Sequence, residues 1–96
     1  MGIKYILQYH SEVQKKDIPS LGSAEKEQIK KTIEQKLVLE PEKFGKPLRK
    51  SLKGYRKLRV GKYRIVFRIE KNIVKILAIH HRQDVYQISI VRIKFE

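Results

Sequence analysis

The stretch Leu58-Arg59-Val60-Gly61-Lys62-Tyr63-Arg64-Ile65-Val66-Phe67 decides the fold of this chain. Two apolar-alternating runs flank Gly61-Lys62, and a leading glycine suits the two-residue type II′ turn that matches the twist of paired strands. That turn predicts an antiparallel hairpin in which Val60 faces Tyr63, Arg59 faces Arg64 and Leu58 faces Ile65. Side chains alternate across a strand, so Leu58, Val60, Tyr63, Ile65, Phe67 and Ile69 should share a core face. Tyr55, Lys57, Arg59, Arg64 and Arg68 should share the opposite face, toward water or a ligand.

Working toward the C-terminus, Lys71-Asn72 reads as the next tight turn. It pairs Glu70 with Ile73 and, by unbroken counting, Lys62 with His81 and Tyr63 with His80. On that count His81 joins the basic face and His80 the core face. Residues 84–95 read two ways: Ile88, Val91 and Phe95 fit a helical stripe, while Ser89, Val91, Ile93 and Phe95 alternate as in a strand. We expect a helical turn after Asp84, which is a plausible cap. Toward the N-terminus, Ile3 to Tyr9 reads as a strand. Ser11 to Asp17 follows as a short helix capped by Ser11 and stopped by Pro19 and Gly22. Ser23, with Glu25 and Glu27 in the first turn, opens a second helix carrying Ile29, Ile33, Leu37 and Val38 at helical spacing up to Pro41. The segment from Glu40 to Gly54, with Pro41, Gly45, Pro47 and Gly54, reads as a basic connection with at most a turn of structure. The expected fold is α+β: an N-terminal strand and two helices, then an antiparallel β-meander.

At 96 residues the chain is the size of one domain, spanning 1–96. Hydrophobic residues at 41% and charged residues at 34% place it among globular proteins rather than disordered ones. No apolar run approaches the roughly 18 residues of a membrane-spanning helix, and the short apolar stretch near Met1 has no cleavage site behind it. With no cysteine, disulfides, thiolate zinc sites and cysteine catalysis are excluded, which fits a cytoplasmic protein.

The charge is the strongest compositional fact, with 23 Lys and Arg against 10 Asp and Glu, a net +13. Residues 1–40 hold 7 basic and 6 acidic side chains, so nearly all the excess belongs to residues 41–96, with 16 basic and 4 acidic. From Lys43 to Arg64 there are ten cations and no acid, whereas an inert solvated face mixes its signs. A polyanion is the expected partner, nucleic acid before an anionic membrane.

Arg59 directly across from Arg64 costs about 0.2–1 kcal/mol, a cost that a bound anion would relieve. With Lys57, Lys53 and the loop residue Arg82, the pair makes a cationic face able to hold a phosphodiester and neutralise charge growing on it. Arg56 and Lys62 add to the same nucleic-acid-binding set. Cleavage also needs a proton acceptor, and His81 and His80 are the side chains whose ordinary titration lies nearest neutral pH. His81 is the candidate base and His80 the structural one. Adjacent histidines on a strand point to opposite faces and His10 has no partner at ligand spacing, so no metal is expected. Tyr86 and Tyr55 offer rings on which an unstacked base could rest. There is no phosphate-binding glycine loop, and no cofactor is expected.

The run Leu58 to Phe67, followed by Ile76-Leu77-Ala78-Ile79-His80-His81-Arg82-Gln83-Asp84-Val85-Tyr86, resembles the RelE/ParE superfamily of toxin–antitoxin toxins. The likeness is to a pattern of roughly Leu-Arg-x-Gly-x-Tyr-Arg, a strand, and His-Arg-x-x-x-Tyr. The resemblance implies a small α+β domain and, in the RelE branch, an endoribonuclease that cuts mRNA in the ribosomal A site by attack of the ribose 2′-hydroxyl on the adjacent phosphate. By that resemblance Arg64 stabilises the phosphate, Arg82 lies near the leaving oxygen, Tyr86 stacks on the substrate, and Lys57 is the second of two strand lysines. Tyr55 stands where the first is expected, and His81 could then take the proton. The ParE branch implies instead the poisoning of DNA gyrase without RNA chemistry. Either branch implies a cognate antitoxin, and a charge of +13 suits an acidic, partly disordered one.

Overall fold

The structure, a computed structural model, describes residues 4–94. Strand β1 (Ile6–Tyr9) leads into a π-wound turn, Val13–Asp17, and then helix α1 (Ser23–Thr32), which continues as a second π-wound segment, Ile33–Leu37. A short helix α2 (Pro41–Phe44), a two-residue strand β2 (Lys46–Pro47) and a 3-10 turn, Lys50–Leu52, precede the meander. The meander is β3 (Arg56–Val60), β4 (Tyr63–Glu70) and β5 (Ile73–His81), and helix α3 (Val85–Lys94) follows it. The strands form one sheet in the order β1-β5-β4-β3-β2, with β1 parallel to β5 and every other pair antiparallel. This is the expected α+β architecture. The expected strand start at Ile3 and the role of Phe95 lie outside the described residues.

The hairpin has the expected register, Val60 with Tyr63, Arg59 with Arg64 and Leu58 with Ile65, and Gly61 takes a φ of +59° at the head of the turn. The Lys71-Asn72 turn also pairs Glu70 with Ile73. Unbroken counting then fails between β4 and β5. Val66 pairs with Ala78 but Phe67 pairs with Ile76, so Leu77 is one extra residue on β5. Beyond this bulge the register moves by one, giving Tyr63 opposite His81 and Arg64 opposite His80. The two histidines therefore exchange faces: His80 shares that of Arg64, and His81 that of Tyr63.

Both faces of the sheet are covered. On one, Ile29, Ile33 and Leu37, four residues apart on one helical stripe, pack with Val13 onto Leu58, Val60, Ile65, Phe67, Ile76 and Ile79. On the other, α3 lays Val85 over Val66, Leu77, Ala78 and Tyr55. The face expected to look toward water thus has a second small core at its centre, which is why β4 and β5 are apolar at consecutive positions. Tyr55 is only 8% exposed within that core, a correction to its expected place on an open basic face.

The termini of the helical segments also differ in part from expectation. The Glu12 N–H donates to His10 Nδ1 at 3.1 Å, so His10 rather than Ser11 caps the first turn. Helix α1 opens at Ser23 as expected, with the Gly22 carbonyl accepting from the Lys26 N–H at 2.9 Å. Residues 40–54 hold more than a turn because Pro41, free of a backbone donor, starts α2, and Gly45 then crosses tightly over the core. A Cβ on Gly45 would fall 2.4 Å from the Phe67 ring. No helix among the described residues is long and apolar enough to cross a membrane.

Candidate nucleic-acid interface

The hairpin end of the sheet and the loop from β5 to α3 enclose a concavity of about 490 Å³ lined by Arg59, Gly61, Lys62, Arg64, His81, Arg82, Gln83 and Asp84. Four of these side chains are cations and one is an acid. Arg64 Nη1 donates to the carbonyl oxygens of Gly61 at 3.2 Å and Tyr63 at 2.9 Å, so the turn itself holds the guanidinium. The His81 ring lies on Tyr63 with centroids 4.5 Å apart, and the bulge that changed its face leaves it exposed at the end of β5. Arg82 follows on the loop. Three of the expected catalytic residues, Arg64, His81 and Arg82, therefore border one basin, as do Arg59 and Lys62.

Arg59 and Arg64 also border a neighbouring concavity of about 320 Å³, whose other lining residues are Phe44, Lys46, Lys57 and Leu58. Lys57 belongs here, its Nζ lying 5.6 Å from the centroid of the half-buried Tyr86 ring. The remaining expected RNA contacts are placed elsewhere. Arg56 lies on the opposite face from Lys57 and donates through Nη1 to the carbonyls of Gly45 at 3.0 Å and Glu42 at 3.3 Å, so it fastens the connection to the sheet. Tyr55 is buried, with Arg68 5.7 Å from its ring centroid, and offers no open face for a base. Lys53 is exposed on the loop before β3 and borders neither basin. Among the described residues no group of three or more histidine, aspartate or glutamate side chains could hold a metal ion.

A protein-family model described as "ParE toxin of type II toxin-antitoxin system, parDE" matches residues 5–86. The chain belongs to the ParE toxin family. Over 50 residues it is 46% identical to Toxin RelG of Mycobacterium tuberculosis, an alignment spanning 50% of this chain and 58% of that relative. Among solved structures, the RelBE2 toxin–antitoxin complex of Mycobacterium tuberculosis matches with a TM-score of 0.77 at 29% identity, covering 83% of this chain and all of that one. A mutant Escherichia coli toxin RelE in the free state matches in fold, with a TM-score of 0.66 at 24% identity over 94% of this chain and 98% of that one.

In this ParE-family chain the buried charges among the described residues are Asp17 and Arg92, which line neither basin. Asp17 accepts four hydrogen bonds: Arg92 Nη1 and the Ile79 N–H reach Oδ2 at 2.7 and 2.9 Å, while Arg92 Nη2 and His80 Nε2 reach Oδ1, both at 2.7 Å. Arg92 Nη1 also donates to the Leu77 carbonyl at 3.0 Å. Together Asp17 and Arg92 cap the edge of β5 where β1 has ended and tie α3 to it. Burial pushes the Asp17 carboxyl up, but the bonds from Arg92 and Ile79 and the charges of Arg92 and His80 outweigh it and hold the group below the ordinary carboxylate range. His80 is thus an anchoring residue, the role expected of it, although it reaches that role on the α3 face. Lys46 is the basin residue that sequence reasoning missed. Its basic neighbourhood was visible, but its position opposite Lys57 depends on the two-residue strand β2.

Proposed function

We propose that this chain is the toxin of a toxin–antitoxin module and acts, as one domain, as a ribosome-dependent endoribonuclease that cuts mRNA in the A site. The observation that carries this reading is the convergence of Arg64, His81 and Arg82 on one basin. Ribonucleotide cleavage by internal attack needs few parts. The 2′-oxygen forms a bond to the adjacent phosphorus, its proton leaves to a base, and the bond to the 5′-oxygen breaks as that oxygen gains a proton. The products are a 2′,3′-cyclic phosphate and a 5′-hydroxyl. Arg64, prepositioned by the carbonyls of the turn, stabilises the charge that grows on the phosphate. Arg82 stabilises the charge on the leaving oxygen, which takes its proton from water, and His81 accepts the 2′-proton, neither being held in an ion pair among the described residues. Lys57 adds positive charge from the neighbouring basin, and Tyr86 supplies a ring for a base once the Lys57 ammonium swings aside. A cytoplasmic site of action follows from this substrate.

The partner is an acidic, partly disordered antitoxin. The solved RelBE2 structure from Mycobacterium tuberculosis is a toxin–antitoxin complex, and a domain of +13 favours a chain of opposite sign. A second reading, gyrase poisoning without RNA cleavage, is favoured by the ParE description of the family model and by the burial of Tyr55 where a strand lysine would stand. Induction followed by primer extension on a translated mRNA separates the two. Codon-phased cuts that require translation are expected; unbroken mRNA with arrested DNA supercoiling would overturn the ribonuclease reading in favour of the gyrase one.

A further inference from the structure

We propose that Lys46 and Lys57 form a second phosphate subsite beside the one at Arg59 and Arg64, so that a single RNA strand lies along β3 with successive phosphodiesters on successive like-charged pairs. The inference rests on the RNA reading above. Lys46 is directly opposite Lys57 across β2 and β3, and Arg59 is directly opposite Arg64 across β3 and β4. Opposed residues share a face, and so do residues two apart on one strand, so all four cations project from one side of the sheet. Like charges facing each other across strands are unfavourable, and here two such pairs are consecutive. No ion pair compensates them among the described residues, and the smaller basin they share has no acidic lining; Arg64 is held by neutral carbonyls and Lys57 lies near the Tyr86 ring.

The spacing identifies the ligand. Two residues of strand advance about 6.6–6.8 Å, comparable to the step between neighbouring phosphates of an extended single strand. A polyanion with charge at that interval relieves both pairs at once, whereas a compact anion relieves one. Arg59 and Arg64 border both basins, so the strand passes from the larger basin, with His81 and Arg82, over the arginine pair and down to Lys46 at the sheet edge. Lys46 is exposed in a two-residue strand and covers no core, so it is open for such a contact.

The test measures binding of a fluorescent 12-nucleotide single-stranded RNA to the whole chain across a salt series, for wild type, Lys46→Gln and Lys46→Arg. Each phosphate contact contributes a slope of about 0.7 to the dependence of log affinity on log salt for a single strand. Lys46→Gln is expected to lower the slope by about that amount and weaken binding irrespective of RNA sequence, with Lys46→Arg restoring both. Thermal melting verifies that each variant is folded. An unchanged slope and affinity for a folded Lys46→Gln overturns the subsite. So does an unchanged RNA slope with weakened binding of a polyglutamate peptide, which would assign the lysine pair to an acidic protein segment. Binding is read without cleavage, so a failed cleavage assay and a failed subsite are separate results.

Discussion

At the scale of single residues, the structure divides cations that face an open basin from cations used to hold the fold. Arg64→Ala should lower mRNA cleavage by about 10²–10³-fold, the usual cost of removing one transition-state donor. Its repulsion from Arg59 disappears with it, so the melting temperature should hardly fall. Single-turnover cleavage on programmed ribosomes, read beside a thermal melt, checks both parts. In the same assay, His81→Gln should lose most of the rate, because glutamine accepts no proton. His80→Gln should keep the rate and lose stability. Asp17→Asn leaves Arg92 buried without its counter-charge and should cost about 3–5 kcal/mol in denaturant unfolding. The pH dependence has a definite sign. Since the folded Asp17 carboxyl titrates below its ordinary 3.8, its contribution is complete above that value and is lost as pH falls through the folded pKa. Wild-type stability should therefore drop steeply below about pH 4, and the drop should be shallower in a folded Asp17→Asn variant.

At the scale of elements, the hairpin and the short connection before it set where the basins stand. Gly61 takes its positive φ in open space, with the nearest relevant atom of Gln28 4.0 Å from a would-be Cβ. Gly61→Ala should therefore act through backbone strain alone and cost about 1–2 kcal/mol. Gly45 presents the opposite case, an ordinary extended backbone with no room beside Phe67 and Arg56. Gly45→Ala should cost about 1–3 kcal/mol by overpacking and shift β2, which would lower RNA affinity together with stability. Gly61→Ala, folded, should affect RNA binding chiefly through Arg64. Chemical denaturation paired with RNA titration separates the two effects. Equal losses of affinity per unit of stability lost would show that β2 has no role of its own in binding.

At the scale of the whole molecule, the charge asymmetry produces a directional field: helices of mixed sign on one face of the sheet and a cationic hairpin end on the other. Single-stranded RNA should bind with a steep salt dependence, with affinity falling strongly between low and moderate salt. A titration with no salt dependence would exclude the basins as the binding surface. On the proposed reading, an acidic antitoxin bound to the same cations should compete with RNA and lose its advantage on the same salt scale.

Much of this was legible in the chain itself. Glycine at the turn, the alternation around it and helical spacing in residues 29–37 determined the hairpin, its register and the helix beneath it, since these are local properties of neighbouring residues. The basic run from Lys43 to Arg64 likewise set the expectation of a polyanionic partner. Tertiary structure alone decided the rest. The run Ile76-Leu77-Ala78-Ile79 is apolar at every position, so alternation carries no mark of the extra residue at Leu77, and the faces of His80 and His81 could not be counted correctly. Asp17 finds Arg92 75 positions away. Lys46 meets Lys57 only because β2 closes the sheet edge. Contacts of that kind depend on which elements pack together, and the energy that selects them belongs to the assembled core rather than to any segment of the sequence.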